Sequence, residues 1–204
     1  VTTLFVSHSA DLVRRLCAQA MWIQDGRIRA LGNADEVVTA YIERSADLDS
    51  RLELGDQRRW GPREVEITGV QFLDEQGRDC RRFRTGEPLV ARIRYVAHRR
   101  IAQPTFGIGI HRDDGAHING PNTLVDGYDI EYVEGPGSID YCVEWLSLLP
   151  GAYQLSAVAY DHTALHAYDH HHRVYPFWVE PNPAVRHPFG TIYMPARWEH
   201  RAGE

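Results

Sequence analysis

The sequence contains no lysine. All 22 of its basic residues are arginine, set against 28 acidic residues and a formal net charge of −6. Without lysine a phosphate-binding loop of the form GxxxxGK[ST] cannot be spelled, which excludes phosphoryl transfer by that device. The excess of acid over base excludes nucleic acid or an anionic lipid surface as the main partner, since both select a basic face. Cysteine is scarce: Cys17, Cys80 and Cys142 are widely spaced, odd in number and form no CxxC pair. A disulfide framework is therefore excluded and a reducing compartment is expected. No apolar run approaches the roughly twenty residues of a membrane-spanning helix. No basic segment followed by an apolar one is found near residue 1, so no signal peptide is expected.

What is present suffices for a core, with 43% hydrophobic and 10% aromatic residues. Residues 1–43 alternate strand and helix patterns. Thr3–Val6 reads as a buried strand, and Ser9 can cap a helix carrying Leu12, Val13, Leu16 and Cys17 at helical spacing. Ala20–Gln24 and Arg27–Leu31 read as a hairpin about Asp25-Gly26, and Asn33–Ile42 as a helix with Val37, Val38, Tyr41 and Ile42 on one face. Residues 44–62 are charged, lack sustained periodicity and end in Gly61-Pro62, which marks a linker with at most one helical turn.

From residue 63 to 182 the period becomes two. Six strands are predicted, at 65–74, 88–98, 105–113, 138–148, 152–160 and 174–180, separated by turns at Gly77, Gly115, Gly135-Pro136-Gly137 and Pro150-Gly151. Short strands of this kind with little helix predict a mainly β fold, an antiparallel immunoglobulin-like β-sandwich preceded by a small α/β segment. Alternation points Leu89, Ala91, Ile93, Tyr95, Phe106, Ile108, Ile110, Ile139, Tyr141, Val143, Trp145, Tyr153, Leu155, Ala157, Ala159, Phe177 and Val179 inward. The opposite phase holds Arg92, Arg94, Gly107, Gly109, His111, Glu144, Gln154, Ser156 and Tyr160, which are expected to share one polar face with a glycine trough. Residues 183–204 add an apolar stretch, "FGTIYMPARW", after a proline-rich turn. It is expected to form a terminal strand that pairs with the sheet edge of a neighbouring protomer.

Two successive resemblances give these patterns a context. "LFVSH", "ADLVRRLC" and "AMWIQDGRIRALGNADEVVTAYI" resemble, in order, the C-terminal end of an ABC-transporter ATPase domain. The resemblance implies that His8 is the switch histidine of that family, which contacts the γ-phosphate. The phosphate loop, the ABC signature and the acidic Mg-binding strand of that family are missing here, so no ATP hydrolysis is expected of this chain, and the opening strand implies a fragment or a mis-started reading frame. The β-rich part, with "FGIGIHRDDGAHINGPNTLVDG", "LLPGAYQLSAVAYD" and "AYDHHHRVYPFWV", is similar over residues 65–180 to the C-terminal domain of O-antigen-exporting (Wzt-type) ABC transporter subunits. That resemblance implies a carbohydrate-binding domain that recognises a lipid-linked polysaccharide. It also implies a homodimer, a membrane-spanning permease partner, ATP and Mg as cofactors of the longer parent but none for this chain, and a place in the cytoplasm at the inner face of the plasma membrane. The alternative is a domain that dimerises the ATPase and binds nothing.

The candidate glycan ligands are Arg92, Arg94, His111, Gln154, Ser156 and Tyr160 on the polar face, together with His117, Asn119 and Asn122 in the loop "HINGPNT". Arginine and tyrosine offer planar surfaces to a sugar ring, and the others supply hydrogen bonds to hydroxyls. Asn and Asp in that loop also suit turns, because they bond their own backbone. "DHTALHAYDHHH" places five His and two Asp in twelve residues, but without a recognised ligand spacing and in an expected loop. No metal is assigned to it. Glycoside hydrolysis would need a facing pair of carboxylates. Glu144 is the one obvious carboxylate on the polar face, with Asp161 at a strand end, so no catalytic residue is assigned.

Overall fold

The computed structural model describes residues 4–6, 13–14, 16–24, 26–49, 58–185 and 189–201. In chain order its elements are β1 (Gln19–Gln24), β2 (Arg27–Asn33), α1 (Ala34–Asp49), β3 (Arg59–Trp60), β4 (Val65–Leu73), β5 (Arg82–Arg84), β6 (Leu89–Ala102), β7 (Thr105–Arg112), β8 (His117–Asn119), β9 (Tyr132–Val143), β10 (Gly151–Tyr160) and β11 (Ala167–Glu180).

Two sheets face one another. The smaller is β4-β6-β9; the larger runs β3-β11-β10-β7-β8, with β5 beside the far end of β11. All pairings are antiparallel except that of β5 with β11. The expected alternation decides what lies between the sheets. Val65, Ile67 and Phe72 of β4 and Leu89, Ala91 and Ile93 of β6 are buried against Phe106 and Ile108 of β7, Leu155 and Ala157 of β10, and Phe177 of β11. Phe72 meets Phe177 with ring centroids 5.2 Å apart, and Tyr95 meets Phe106 at 4.9 Å, so aromatic pairs join the layers. Burial of each such side chain is worth about 1.5–3 kcal/mol.

A charged joint supplements this apolar core. Asp169 on β11 is fully buried. Its carboxylate accepts hydrogen bonds from Arg59 Nε at 3.0 Å, Arg59 Nη2 at 2.7 Å and the Ile67 amide at 2.8 Å. Burial alone would raise the Asp169 pKa. The nearby His171 and the hydrogen bonds from Arg59 and Ile67 more than offset that and hold it below the usual carboxylate range. One acid thus pins β3 and β11 of the large sheet to β4 of the small one. Gly61 permits the approach: with φ at +122° it takes a conformation open to glycine, and any side chain there would strike the Tyr168 carbonyl.

Several expectations change. Leu4 and Val6 lie exposed outside any strand, because no neighbouring strand among the described residues accepts their hydrogen bonds. The N-terminal hairpin is present as β1 and β2, and Asn33 caps the following helix by accepting the Asp35 amide at 2.9 Å. That helix continues to Asp49, into the segment expected as linker, and Arg59–Trp60 pairs with β11 as an edge strand. β9 lies upstream of its expected position and stops at Val143. Trp145 is therefore 52% exposed and lies over Gly86, and Glu144 is exposed beyond the strand. The His-rich stretch is a loop only in its first half, residues 161–166, since residues from Ala167 onward form β11. The C-terminal stretch reaches its own chain: Ile192 bridges Leu148, and the Tyr193 amide donates to the Ser147 carbonyl at 2.7 Å.

Candidate functional site

A sandwich has two outer faces, and the expected polar face divides between them. Arg92 and Arg94 sit on β6 in the small sheet, whereas His111, Gln154 and Ser156 sit on β7 and β10 in the large sheet. The single face is therefore corrected to two, on opposite sides of the core. Period-two alternation separates in from out and carries no information on which sheet a strand joins.

On the small sheet Arg92 is committed. Its guanidinium forks onto Asp140 at 2.8 and 2.7 Å, and this bond is the main reason the Asp140 pKa lies below its ordinary value. Arg94 donates to Gln71 Oε1 at 2.7 Å.

The large sheet gathers more. In β11 the strand alternation turns His171 toward Asp169, 3.4 Å away, and leaves His170 and His172 on the outer face. β3 lays Trp60 beside them, with ring centroids 4.1 Å from His170 and 6.0 Å from His172. From β7, His111 approaches His172 at 5.4 Å and His117 of β8 at 4.9 Å. Trp60 remains 45% exposed beside His170 and His172, and His111 and His117 extend this into a run of four imidazoles. Trp60 fell in the expected linker and His170 and His172 in an expected loop; the short run Arg59–Trp60 carried no periodicity by which to find it.

The polar groups beneath this cluster are interlocked. The Ser156 hydroxyl accepts the Arg173 amide at 2.8 Å and lies 3.2 Å from His111 Nε2. The Arg173 Nε donates to Gln154 Oε1 at 2.8 Å. Arg173 itself has φ of +54° in mid-strand, where the β10–β11 register slips between Leu155 and Ala157. A non-glycine residue held there stores strain, which the Ser156 and Gln154 bonds fasten in place. His111 is nearly buried, and its Nδ1 has no partner among the described residues. Its pKa falls to about 4, through burial first and then the nearby His117, His172 and Arg173. His170 is likewise drawn down to about 4, by burial and then by His172 and His171. At neutral pH these imidazoles are uncharged, so each carries one donor and one acceptor.

The remaining candidates are placed as follows. Tyr160 lies on the same strand as Ser156 but about 13 Å along it. Asn119 accepts the adjacent Gly120 amide, and Asn122 accepts the Val125 amide at 2.9 Å, so both shape their loop. That loop fills the glycine trough: a side chain at Gly107 would meet Asn122 and Pro121, and one at Gly109 would meet His111. Asn122 and Asp126 also line a cavity of about 50 Å³ with Asp140 and Tyr141 at the open edge between the sheets. His8 lies outside the described residues. Among the described residues no group of three or more His, Cys, Asp or Glu is placed to hold a metal ion.

Comparison with known proteins adds the lineage. The family described as "Wzt C-terminal domain" matches residues 56–193. The chain is 25% identical over 170 residues to the O-antigen export system ATP-binding protein RfbB of Myxococcus xanthus, covering 76% of this chain and 39% of that protein. A shorter match, 45% over 42 residues, is to the teichoic acids export ATP-binding protein TagH of Listeria monocytogenes, covering 21% of this chain and 12% of that protein. The chain thus spans well under half the length of these relatives. The crystal structure of the C-terminal domain of wzt superposes with a TM-score of 0.61 at 15% identity, over 72% of this chain and 90% of that one, which establishes a shared fold. With the match running from ahead of β3 to beyond β11, the chain belongs to the Wzt C-terminal domain family.

Proposed function

We propose that this chain is the cargo-recognition part of an ABC exporter for O-antigen or a similar lipid-linked polysaccharide, and that the glycan binds on the outer face of the large sheet. The observation that carries the reading is the half-exposed Trp60 indole beside the imidazoles of His111, His117, His170 and His172. Sugar rings have an apolar face that suits an aromatic plane, and hydroxyl edges that suit groups able both to donate and to accept. Imidazoles provide the latter, those of His111 and His170 uncharged at neutral pH, and Ser156, fastened to Arg173 and through it to Gln154, lies against His111. Arg92, Arg94 and Tyr160 fall outside this site.

The names of the relatives support the wider setting. A longer parent would supply the nucleotide-binding machinery with ATP and Mg, a membrane-spanning permease would be its partner, and the chain would lie at the cytoplasmic side of the membrane. Among the described residues no helix is long and apolar enough to cross a membrane. The chain itself would bind and release glycan without cleaving it.

A second role is compatible with the first. Met194 and Trp198 are 75% and 102% exposed, beyond the point where Ile192 pairs within its own chain. They offer an apolar surface for a homodimer. Truncation after Tyr193 should lower the solution mass if they serve that end.

Binding is tested by titrating the polysaccharide exported by the same cell into the wild-type chain and into Trp60→Ala. Saturable binding that Trp60→Ala weakens supports the reading. Equal binding by both moves the site elsewhere, and an absence of binding leaves the dimer role alone.

A further inference from the structure

The small sheet carries a second polar feature that the glycan face does not use. In β4 the register with β6 slips between Ile67 and Gly69, which opens the backbone at a β-bulge. Beside it lies a groove of about 280 Å³ lined by Gly69, Gln71, Asp79, Arg81 and Arg94, with the backbone at Val70 and Phe72 as its floor. Nothing lies within 4 Å of where a side chain on Gly69 would begin, so the floor is open.

The arginines of this groove differ from most others in the sandwich. Arg59, Arg78, Arg82, Arg92, Arg99 and Arg112 each pair with a carboxylate. Arg81 is half-buried and has no ion pair among the described residues, and Arg94 bonds a neutral amide. Gln71 turns Arg94 into place. Its oxygen accepts from Arg94 while its nitrogen donates to Asp79 Oδ2 at 3.0 Å, so the one carboxylate of the groove is engaged with the amide. A half-buried guanidinium loses hydration without an opposing charge, and its planar fork matches a carboxylate or phosphate.

We propose that Arg81 and Arg94 form a binding site for an anionic group, a carboxylate or a phosphate carried on a ligand. The Gly69 bulge leaves room for the group, and Gln71 is a positioning residue for Arg94. The site lies on the opposite side of the core from Trp60, so it binds independently of whether the large-sheet face binds glycan. A uronic acid residue and a phosphate ester present the same chemistry to two guanidinium groups.

The test uses the whole chain with arginine side chains labelled with ¹⁵N. Sodium glucuronate, inorganic phosphate and neutral glucose are titrated separately at constant ionic strength, and the Nε–Hε resonances are followed. Saturable shifts at both Arg81 and Arg94 with glucuronate, with phosphate or with both support the site, and the more effective anion identifies the source of the charge. Arg94→Gln should weaken that binding about tenfold or more, the loss of a charge-assisted hydrogen bond. Arg99→Gln, at an exposed pair with Glu64, should leave it unchanged. The proposal is overturned if both resonances move no more than those of Arg99, if glucose shifts them equally, or if Arg94→Gln binds as the wild type does.

Discussion

The two outer faces of this sandwich solve the same problem, polar side chains on a solvated sheet, in different ways. The small sheet matches charge with charge: Arg92 with Asp140 and Arg99 with Glu64. The large sheet assembles aromatic rings, with Trp60 and four imidazoles above an interlocked Ser156, Arg173 and Gln154. Ion pairs at a surface satisfy themselves and contribute little. Neutral imidazoles beside a half-exposed indole keep hydrogen-bonding capacity open, at the cost of strain at Arg173 and an unpartnered His111 nitrogen. The contrast is what supports placing the proposed glycan site on the large sheet.

The joint between the faces should give the largest effect. Asp169→Ala removes the partner of Arg59 and of the Ile67 amide, and is expected to destabilise the sandwich by about 3–5 kcal/mol. Urea denaturation measures this. A loss comparable to that of an exposed pair would mean that β3 and β4 are held by other contacts.

Next comes the contrast in binding. Trp60→Ala should reduce affinity for the exported polysaccharide by about 5- to 150-fold, while Arg92→Ala leaves it unchanged and both melt as the wild type does. Were Arg92→Ala the more damaging of the two, the roles of the faces would be reversed.

Acidity should separate the faces more gently. An unfolded histidine titrates near 6.5, whereas folded His111 and His170 titrate at about 4. Between those values the unfolded chain takes up protons that the folded chain does not. The stability tied to these imidazoles is complete above 6.5 and is lost as the pH falls toward 4. Asp140 keeps its charge across that window because Arg92 lowers its pKa. Denaturation at pH 7 and pH 5 should therefore show a decline that His111→Gln with His170→Gln reduces and Asp140→Asn does not. An identical decline in all three proteins would contradict the burial of the imidazoles.

The smallest effect is expected at the exposed pair of the small sheet. Arg99→Ala should change stability by about 0–1 kcal/mol, and 0.5 M salt should erase even that. A larger loss would show that this face holds the fold together as well as covering it.

Much of the architecture was legible along the chain. Period-two patterns around Leu89, Ala91, Ile93, Leu155 and Ala157 marked the core positions of β6 and β10, since a strand presents alternate residues to opposite sides. The hairpin about Gly26 and the start of the helix that follows it were visible because both depend on local geometry. Trp145 was misread because alternation does not indicate where a strand stops, and the ladder of β9 ends at Val143. The second half of the His-rich segment looked like a loop because histidine has no strong preference for strands, and Trp60, which pairs with it, is distant in sequence.

By itself the sequence determined that this chain builds a β-sandwich core behind a short α/β segment and lacks a lysine-bearing phosphate loop. Those conclusions rest on composition and on spacings of a few residues. Tertiary structure alone decided that Arg92 and His111 lie on opposite sides of the molecule and that Asp169 joins the two layers. It alone placed Trp60, from a two-residue strand, beside His170 across more than a hundred intervening positions. Each of these depends on which strand lies next to which, and strand order is set by burial of the whole core and by long-range hydrogen bonds, which no local pattern encodes.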